Sequence, residues 1–364
     1  MPSPRPRRHG IPRGRTRRFT RRIHATGACA AVCAAVLLAV IVVPWPPDGR
    51  GAAPPPGPEQ PDLNVAAVPA ADSAGFFAAL HQGLFAARGL HVTFIPAVSS
   101  ETVINAQALD PPGRRVDISC GNYVSYIEAQ QAWDQGQRPS AAAARPVAAD
   151  LDIFAEGSVM EPATQALYTM PGSPVRTLAG LKGRTVGINV PLGILYLLIA
   201  SVLAGHGIPV SSVHFRYIPL PLMAAALRSG RVQAAELPEP FASQAELSLG
   251  AVPLADLDQG ATAAFPVQGC AVTRQWAATH PVTLAAFRAA FEQGQQIADT
   301  SRAAVEQAME ALPPPLGLTP VQAAVMALDS YPVGPVDAVR IQRVADVMWQ
   351  FLGFPRFSVG PMLT

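Results

Sequence analysis

The sequence predicts an α/β fold made of two units, because strand-like and helix-like segments alternate along two stretches of the chain. Nearly half of the 364 residues are apolar and only 14% are charged, a composition typical of a well-packed globular protein. In both stretches an apolar strand is followed by a helix. This order predicts a largely parallel sheet with helices on both faces.

The first stretch begins near Asp62. Its predicted strands cover residues 63–68, 91–95 and 116–119, and helices follow them from about residues 73, 99 and 123. Asp72 or Ser73 is expected to cap the first helix, which runs to about Ala87 before Gly89 ends it.

The second stretch repeats this scheme. It has predicted strands at 185–189, 213–218 and 232–235 and predicted helices at 194–204, 222–228 and 240–247. After about Val267 the character of the chain changes, and helices are predicted at 283–300, 302–311, 319–329 and 336–352. The sequence shows no repeat of fixed period, so the two stretches are analogous and are not copies.

The N-terminus carries the signals of export. Residues 1–27 contain nine arginines and no acidic residue, as is typical of the cytoplasmic flank of a membrane segment. Residues 28–43 are uncharged and would span about 24 Å as a helix, which fits either a cleaved signal or an uncleaved membrane anchor. Residues 44–61 are rich in Pro and Gly and predict an extended linker. The folded body is therefore expected to be extracytoplasmic, either exported or anchored at the outer face of the cytoplasmic membrane.

The charge of the folded body excludes one class of partner. From residue 61 onward the chain keeps 17 of its 27 basic residues and 23 of its 25 acidic residues, which gives a net charge of about −6. A nucleic-acid-binding domain needs a basic surface, so a nucleic-acid partner is not expected.

Five stretches of sequence occur in an order that resembles one protein family. They are Gly83-Leu84-Phe85 with Gly89-Leu90-His91-Val92, then Arg115-Val116-Asp117-Ile118, then 178–188 (LAGLKGRTVGI), then 227–235 (LRSGRVQAA), and finally Pro238-Glu239-Pro240. Together they resemble the ABC-importer solute-binding proteins for nitrate, sulfonates, taurine and thiamine-precursor pyrimidines. Ala179 and Gln233 depart from the pattern, since the family has Asp at both positions.

The resemblance implies a type II periplasmic-binding-protein fold, in which two α/β lobes are joined by two crossing strands and a ligand cleft lies between them. Lobe one is then expected at 62–155 plus 270–364 and lobe two at 165–265, with the crossovers near 153–168 and 262–273. The implied function is extracytoplasmic solute binding for an ABC importer. The expected partners are a small-molecule ligand, the permease with its ATPase, and the membrane through the N-terminal segment.

The loops at the carboxyl ends of the strands are the candidates for ligand contact, because open parallel sheets bind ligands at that edge. The candidates on lobe one are Asp72, Ser73, Ser99, Ser100, Glu101, Gly121, Asn122 and Tyr123, and those on lobe two are Asn189, Leu192, Gly193, Ile194 and Glu239. Each loop precedes a helix, so free backbone N–H groups face the cleft. The serines also fit a role as plain helix caps, and Glu239 fits either an amine or amidine contact or the start of its helix.

Catalysis has little support in the sequence. The histidines show no metal-ligand spacing, and the sequence contains no P-loop, G-x-G-x-x-G or G-x-S-x-G motif. No cofactor and no metal is therefore expected. Two alternatives remain open, namely an enzyme of the pyrimidine-precursor-synthase type on the same fold, and a sensor ectodomain. Lys182 is the only lysine and is predicted in a turn away from the cleft, which disfavours a Schiff-base enzyme.

The resemblance also bears on the two cysteines of the folded body. In the family's sheet the strand that returns from lobe two lies antiparallel beside the third strand. Cys120 ends that third strand and Cys270 lies early in the returning one. We therefore expect Cys120 and Cys270 to be spatial neighbours, either as a disulfide or as packed thiols, and export favours the disulfide.

The loop at 190–195 suggests the class of ligand. It contains no hydroxyl and no charge, and Pro191 removes one backbone donor. Burial of a nitrate or a sulfonate against it would leave negative charge poorly compensated. We therefore expect a small organic ligand with an apolar or flat aromatic portion on Leu192 and Ile194. Its polar end would meet Asn122, Tyr123, Ser100 or Glu239.

Overall fold

The structure is a computed structural model that describes residues 57–109, 115–139 and 148–364. The arginine-rich segment, the apolar run at 28–43 and residues 44–56 of the linker lie outside this part, so the predictions for them stay predictions. Within the described ranges, no helix is both long enough and apolar enough to cross a membrane.

Two five-stranded mixed sheets form the framework, and each defines one lobe. The sheet of lobe one has the order β2-β1-β3-β10-β4. Its strands are β1 (Asp62–Ala67), β2 (His91–Pro96), β3 (Ile118–Asn122), β4 (Leu151–Val159) and β10 (Pro266–Thr273). Strand β1 is parallel to β2 and β3, whereas β10 runs antiparallel between β3 and β4.

The sheet of lobe two has the order β7-β6-β8-β5-β9. Its strands are β5 (Gln165–Thr169), β6 (Thr185–Ile188), β7 (His214–Tyr217), β8 (Ala234–Pro238) and β9 (Val252–Asp256). Strands β6, β7 and β8 are parallel, and β5 is antiparallel to β8 and β9. The chain therefore passes between the two sheets twice, at residues 160–164 and 257–265. This arrangement confirms the predicted two-lobed α/β fold with two crossing connections.

Eleven α-helices surround the sheets in the described part of the chain. They are α1 (Ala74–His81), α2 (Ser100–Leu109), α3 (Tyr123–Asp134), α4 (Ile194–Gly205), α5 (Leu220–Arg228), α6 (Phe241–Leu249), α7 (Arg274–Thr279), α8 (Pro281–Thr300), α9 (Arg302–Glu310), α10 (Pro320–Val325) and α11 (Ala338–Leu352). Helices α8 and α9 pack on α1, whereas α11 contacts both α3 of lobe one and α4 of lobe two.

The aromatic core of lobe one is built where α1 meets α8. Phe85 stacks on Phe287 with ring centroids 4.6 Å apart, and Phe76 and Phe77 pack beside them. The two helices approach so closely that a Cβ on Gly294 would lie 2.3 Å from the carbonyl oxygen of Gly75. Only glycine fits such a contact, so this close approach fixes the position of α8 on lobe one.

Two helices are shorter than the sequence predicts. Helix α1 ends at His81 and not near Ala87, because Gly83 adopts a left-handed conformation (φ +70°) that breaks the helix. Helix α10 ends at Val325 and not near residue 329. There the Arg302 guanidinium donates to the carbonyl of Met326, at 2.6 Å, and the chain continues as an extended segment.

The end of the linker is fixed to helix α8. The Glu59 carboxylate accepts hydrogen bonds from the N–H groups of Val282 (3.0 Å) and Thr283 (2.8 Å), which are free at the start of the helix. Gln60 donates its own N–H to the hydroxyl of Thr283, at 3.0 Å. Desolvation raises the pKa of the Glu59 carboxyl, but these hydrogen bonds outweigh it and lower the pKa to about 2. The linker therefore joins the folded body at lobe one.

Cys120 and Cys270 form a disulfide between β3 and β10. They are direct partners in the antiparallel register of these strands, and their Cα atoms are 4.1 Å apart. Both side chains are buried. The expectation that these cysteines are neighbours is confirmed, in its bonded form.

We expect the disulfide to stabilise the folded state substantially, because it closes a loop of 150 residues. Its removal in a Cys120→Ala/Cys270→Ala double variant should lower the free energy of unfolding by about 2–5 kcal/mol, measured by urea denaturation. Reductant should destabilise the wild type and leave the double variant unchanged. If the wild type without reductant were no more stable than the double variant, and reductant did not change its stability, the prediction would be contradicted.

Candidate functional site

The carboxyl ends of β1 and β3 in lobe one face those of β6 and β8 in lobe two. The N–H of Ala71 donates to the carbonyl of Glu239 across the two lobes, at 2.9 Å. At a second place a Cβ on Gly193 would lie 3.6 Å from Oε1 of Glu101. The predicted loops of the two lobes therefore meet, at the boundary where the sequence predicts the ligand cleft.

The loops of lobe one form a hydrogen-bonded group around Asn122. The N–H of Asn122 donates to Oγ of Ser100 at 2.9 Å, and its side-chain oxygen accepts from the N–H of Ser125, also at 2.9 Å. The Ser125 hydroxyl donates to Oε1 of Glu101 at 2.5 Å. Gly121 lets Ser100 approach, since a Cβ there would lie 3.0 Å from the serine Oγ. These predicted residues are thus brought together and fix one another's positions.

The other two predicted serines have structural partners. Ser99 caps α2, because its Oγ accepts from the N–H of Thr102 at 3.3 Å. Ser73 precedes α1, but its hydroxyl donates to the carbonyl of Val68, at 3.1 Å, and meets the side chain of Gln268 on β10. Ser73 therefore ties the loop after β1 to the returning strand.

Tyr123 lies inside lobe one. Its side chain is fully buried in the apolar core, and a Cβ on Gly269 would lie 2.7 Å from its hydroxyl oxygen. Burial, together with the charge of Glu156, raises the pKa of this hydroxyl well above its ordinary value. The position of Tyr123 thus favours packing under β10 over contact with a ligand.

The loop after β6 presents an apolar surface and one polar atom to the cleft. Ile194 is buried at the start of α4, and Leu192 is partly exposed. Leu192 has φ +54°, a left-handed conformation that is strained for a bulky residue. The side-chain oxygen of Asn189 is buried and has no hydrogen-bond partner among the described residues.

Glu239 is occupied by contacts within the protein. Its carboxylate accepts from the hydroxyl of Ser243 at 2.8 Å and from the N–H groups of Ser243 and Ala327, at 3.1 and 3.2 Å. Burial raises the pKa of the Glu239 carboxyl in spite of these bonds. The contacts with Ser243 correspond to the expected role of Glu239 at the start of its helix, α6. The contact with Ala327 also attaches the segment that follows α10 to lobe two.

Three polar residues near the cleft were not predicted from the sequence, namely Gln165, Glu236 and Asp329. Glu236 on β8 is completely buried, and Gln165 and Asp329 are nearly so. Each has at least one side-chain oxygen without a hydrogen-bond partner in the part of the chain that the structure describes. Within the same part, no group of three or more His, Cys, Asp or Glu side chains could hold a metal ion.

The charge of Asp72 affects the ionisation of both Glu236 and Asp329. Desolvation raises the pKa of Asp72 and that of Asp329 each to about 7. Desolvation raises the pKa of Glu236 as well, and the charge of Asp72 adds to the effect. Glu161 raises the pKa of Asp329 further. Burial, together with the charges of Asp329 and Asp72, raises the pKa of the Tyr331 hydroxyl.

These pKa values predict how stability depends on pH in the ligand-free protein. Between about pH 4 and pH 7 the folded state binds more protons at Asp72 and Asp329 than the unfolded state does. Stability should therefore fall as the pH rises, by at most about 1.4 kcal/mol per pH unit for each group. Urea denaturation at pH 5 and pH 8 measures the effect. In an Asp72→Asn/Asp329→Asn variant the fall of stability with rising pH should be smaller. An unchanged slope of stability against pH would show that these two groups do not cause it.

Comparison with solved structures shows the same architecture in ligand-binding proteins. The alkanesulfonate-binding protein SsuA from Xanthomonas axonopodis pv. citri, solved with bound MOPS, is 19% identical; the match covers 84% of this chain and 99% of that one, with a TM-score of 0.64. The ligand-binding component of an ABC-type import system from Staphylococcus aureus, solved with zinc, is 14% identical over 84% of this chain and 97% of that one, with a TM-score of 0.68. The nitrate-binding protein NrtA from Synechocystis PCC 6803 is 16% identical over 70% of this chain and 67% of that one, with a TM-score of 0.58.

Among curated proteins, none matches the sequence significantly. The model of the NMT1-like family matches residues 56–312, which is well over half of the chain and includes both sheets. With the fold described above, this match shows that the chain belongs to the NMT1-like family.

Proposed function

We propose that this protein is the extracytoplasmic solute-binding component of an ABC importer. It binds a small organic solute between its lobes and delivers it to a permease with its ATPase. One observation carries the proposal: at the facing ends of the two lobes, buried side-chain oxygens of Glu101 on α2, Asn189 after β6 and Glu236 on β8 lack hydrogen-bond partners in the described ranges. Such atoms are costly unless a ligand satisfies them. The fold shared with importer components supports the same conclusion.

The location follows from two features. The Cys120–Cys270 disulfide is typical of an oxidising compartment outside the cytoplasm. The arginine-rich N-terminus followed by an apolar run is a signal for export, and as an uncleaved segment it would tether the protein beside its permease.

The position of Lys182 supports a binding protein over a Schiff-base enzyme. Lys182 is exposed and precedes β6, whereas the cleft lies beyond the carboxyl end of that strand. A Schiff-base lysine has to reach the cofactor in the cleft, and Lys182 starts from the opposite end of the sheet.

The apolar part of the ligand is proposed to lie on Leu192 and Ile194. A strained backbone at a bulky side chain costs free energy and is typical of functional positions. Leu192 has a left-handed backbone and is partly exposed, two residues before the buried Ile194 at the start of α4. Asn122, held by Ser100 and Ser125, and Asn189 would then contact the polar part of the ligand.

Native mass spectrometry of the full-length protein tests the proposed function directly. We expect a small molecule to co-purify and to dissociate on mild activation. A protein without a bound solute, which also shows no thermal stabilisation by nitrate, alkanesulfonates, amines or aminopyrimidines, would contradict the proposal.

A substitution in the cleft tests the proposed apolar contact. Leu192→Ala removes apolar surface and should weaken binding of the co-purified solute about tenfold, measured by isothermal titration calorimetry. Leu222→Ala on α5 is the matched control, since Leu222 is largely exposed and lies outside the loops at the cleft. An unchanged dissociation constant in Leu192→Ala would place the ligand elsewhere.

A further inference from the structure

Glu236 is an unusual residue for the interior of a sheet. It lies on the central strand β8 of lobe two, directly opposite Leu167 on β5, and no part of it is exposed. Its strand neighbour Ala234 and Leu167 both belong to the apolar core under α4. Neither of its carboxylate oxygens has a hydrogen-bond partner in the described ranges. A carboxyl buried in this way destabilises the protein unless something compensates it.

Two further carboxyls come to the same place from lobe one and from the segment after α10. Ala71, next to Asp72, bonds to the carbonyl of Glu239, three residues beyond Glu236. The hydroxyl of Tyr331, two residues beyond Asp329, donates to the carbonyl of Ala71 at 2.8 Å. The backbone thus brings Asp72 between the two others, and its charge raises the pKa of both Glu236 and Asp329.

No protein cation compensates these carboxyls. Within the part of the chain that the structure describes, no ion pair includes Asp72, Glu236 or Asp329. The Asp72 carboxyl accepts from the hydroxyl of the neighbouring Ser73, at 3.3 Å, and Oδ1 of Asp329 is unpartnered among the same residues. Nearby buried atoms that also lack partners there are the side-chain oxygens of Gln165 and Asn189. Unpartnered acceptor oxygens from several segments therefore occur here without a protein cation paired to the three carboxyls.

We infer that the ligand carries a positively charged nitrogen group, an ammonium, amidinium or guanidinium, and that the carboxylates of Asp72, Glu236 and Asp329 hold it. The inference rests on the proposed function and specifies its ligand. An N–H-rich cation satisfies several acceptors at once and neutralises charge that no side chain neutralises. The remaining part of the ligand extends toward Leu192 and Ile194.

Two matched series of probes test the charge of the ligand on the full-length protein. One series is benzamidinium, benzamide and benzoate; the other is butylammonium, 1-butanol and butane-1-sulfonate. Within each series the carbon skeleton is similar and the charge differs. At about 10 mM even a weak ligand stabilises by mass action, so thermal unfolding detects binding and calorimetry measures it. We expect at least one of the two cations to stabilise the protein, and its neutral and anionic analogues to have little effect.

Variants connect the effect to the carboxyls. Glu236→Gln and Asp329→Asn should weaken binding of the stabilising cation about ten- to 100-fold, the loss typical of a charged hydrogen-bond partner. Asp346→Asn on α11 removes the same charge from an exposed position and should change nothing. Glu236→Gln should also raise the melting temperature of the ligand-free protein at pH 8, because it removes a buried ionisable carboxyl that has no hydrogen-bond partner in the described ranges. A purely structural role would give the opposite change.

The inference fails if neither cation stabilises the protein, if a neutral or anionic analogue binds as well, or if Glu236→Gln leaves the affinity of the cation unchanged. These outcomes are separate from a failure of the proposed function. A neutral or anionic solute found by native mass spectrometry would support a binding protein and overturn the cationic ligand. The absence of any bound solute, without a response to any probe, would overturn both.

Discussion

The position of β10 between β3 and β4 is the constraint on which the rest of the structure depends. This strand returns from lobe two and pairs antiparallel with both neighbours, so it joins β4 to the rest of the sheet of lobe one and fixes where the second crossing connection ends. The Cys120–Cys270 disulfide fixes it to β3. From β10, Gln268 holds the loop that carries Asp72 and Ser73. The geometry of one edge of the cleft therefore depends directly on the strand that joins the lobes.

Much of the fold was predictable because its signals are local. Apolar strands followed by helices identified most elements within a few residues, and the cysteine pair followed from a strand order that the resemblance implied. One failure has a local cause and the other a tertiary one. Gly83 breaks α1 through its left-handed conformation, which its place in a helix-like pattern does not reveal. Helix α10 ends early because Arg302, some twenty residues away, takes the carbonyl of Met326.

The candidate site was less predictable, since its chemistry depends on burial and on contacts between distant segments. Ser100, Glu101 and Asn122 were proposed from their positions after strand ends, and the fold brings them together. Glu236 lies within a strand and carries no motif, and Asp329 comes from a segment that the sequence assigns to a helix. For Glu239 the sequence left two roles open, a ligand contact or the start of its helix, and only the fold shows that its oxygens accept from Ser243 and Ala327.

The attachment of Glu59 to the start of α8 has a mechanical consequence. A pull on the chain that precedes residue 57 passes through the carboxylate of Glu59 and the backbone of Gln60 into Thr283, and from there into the aromatic core under α8. This path enters lobe one and does not cross the cleft. A load that enters at residue 57 is therefore borne first by lobe one, and it reaches lobe two only through the connections and contacts that join the lobes.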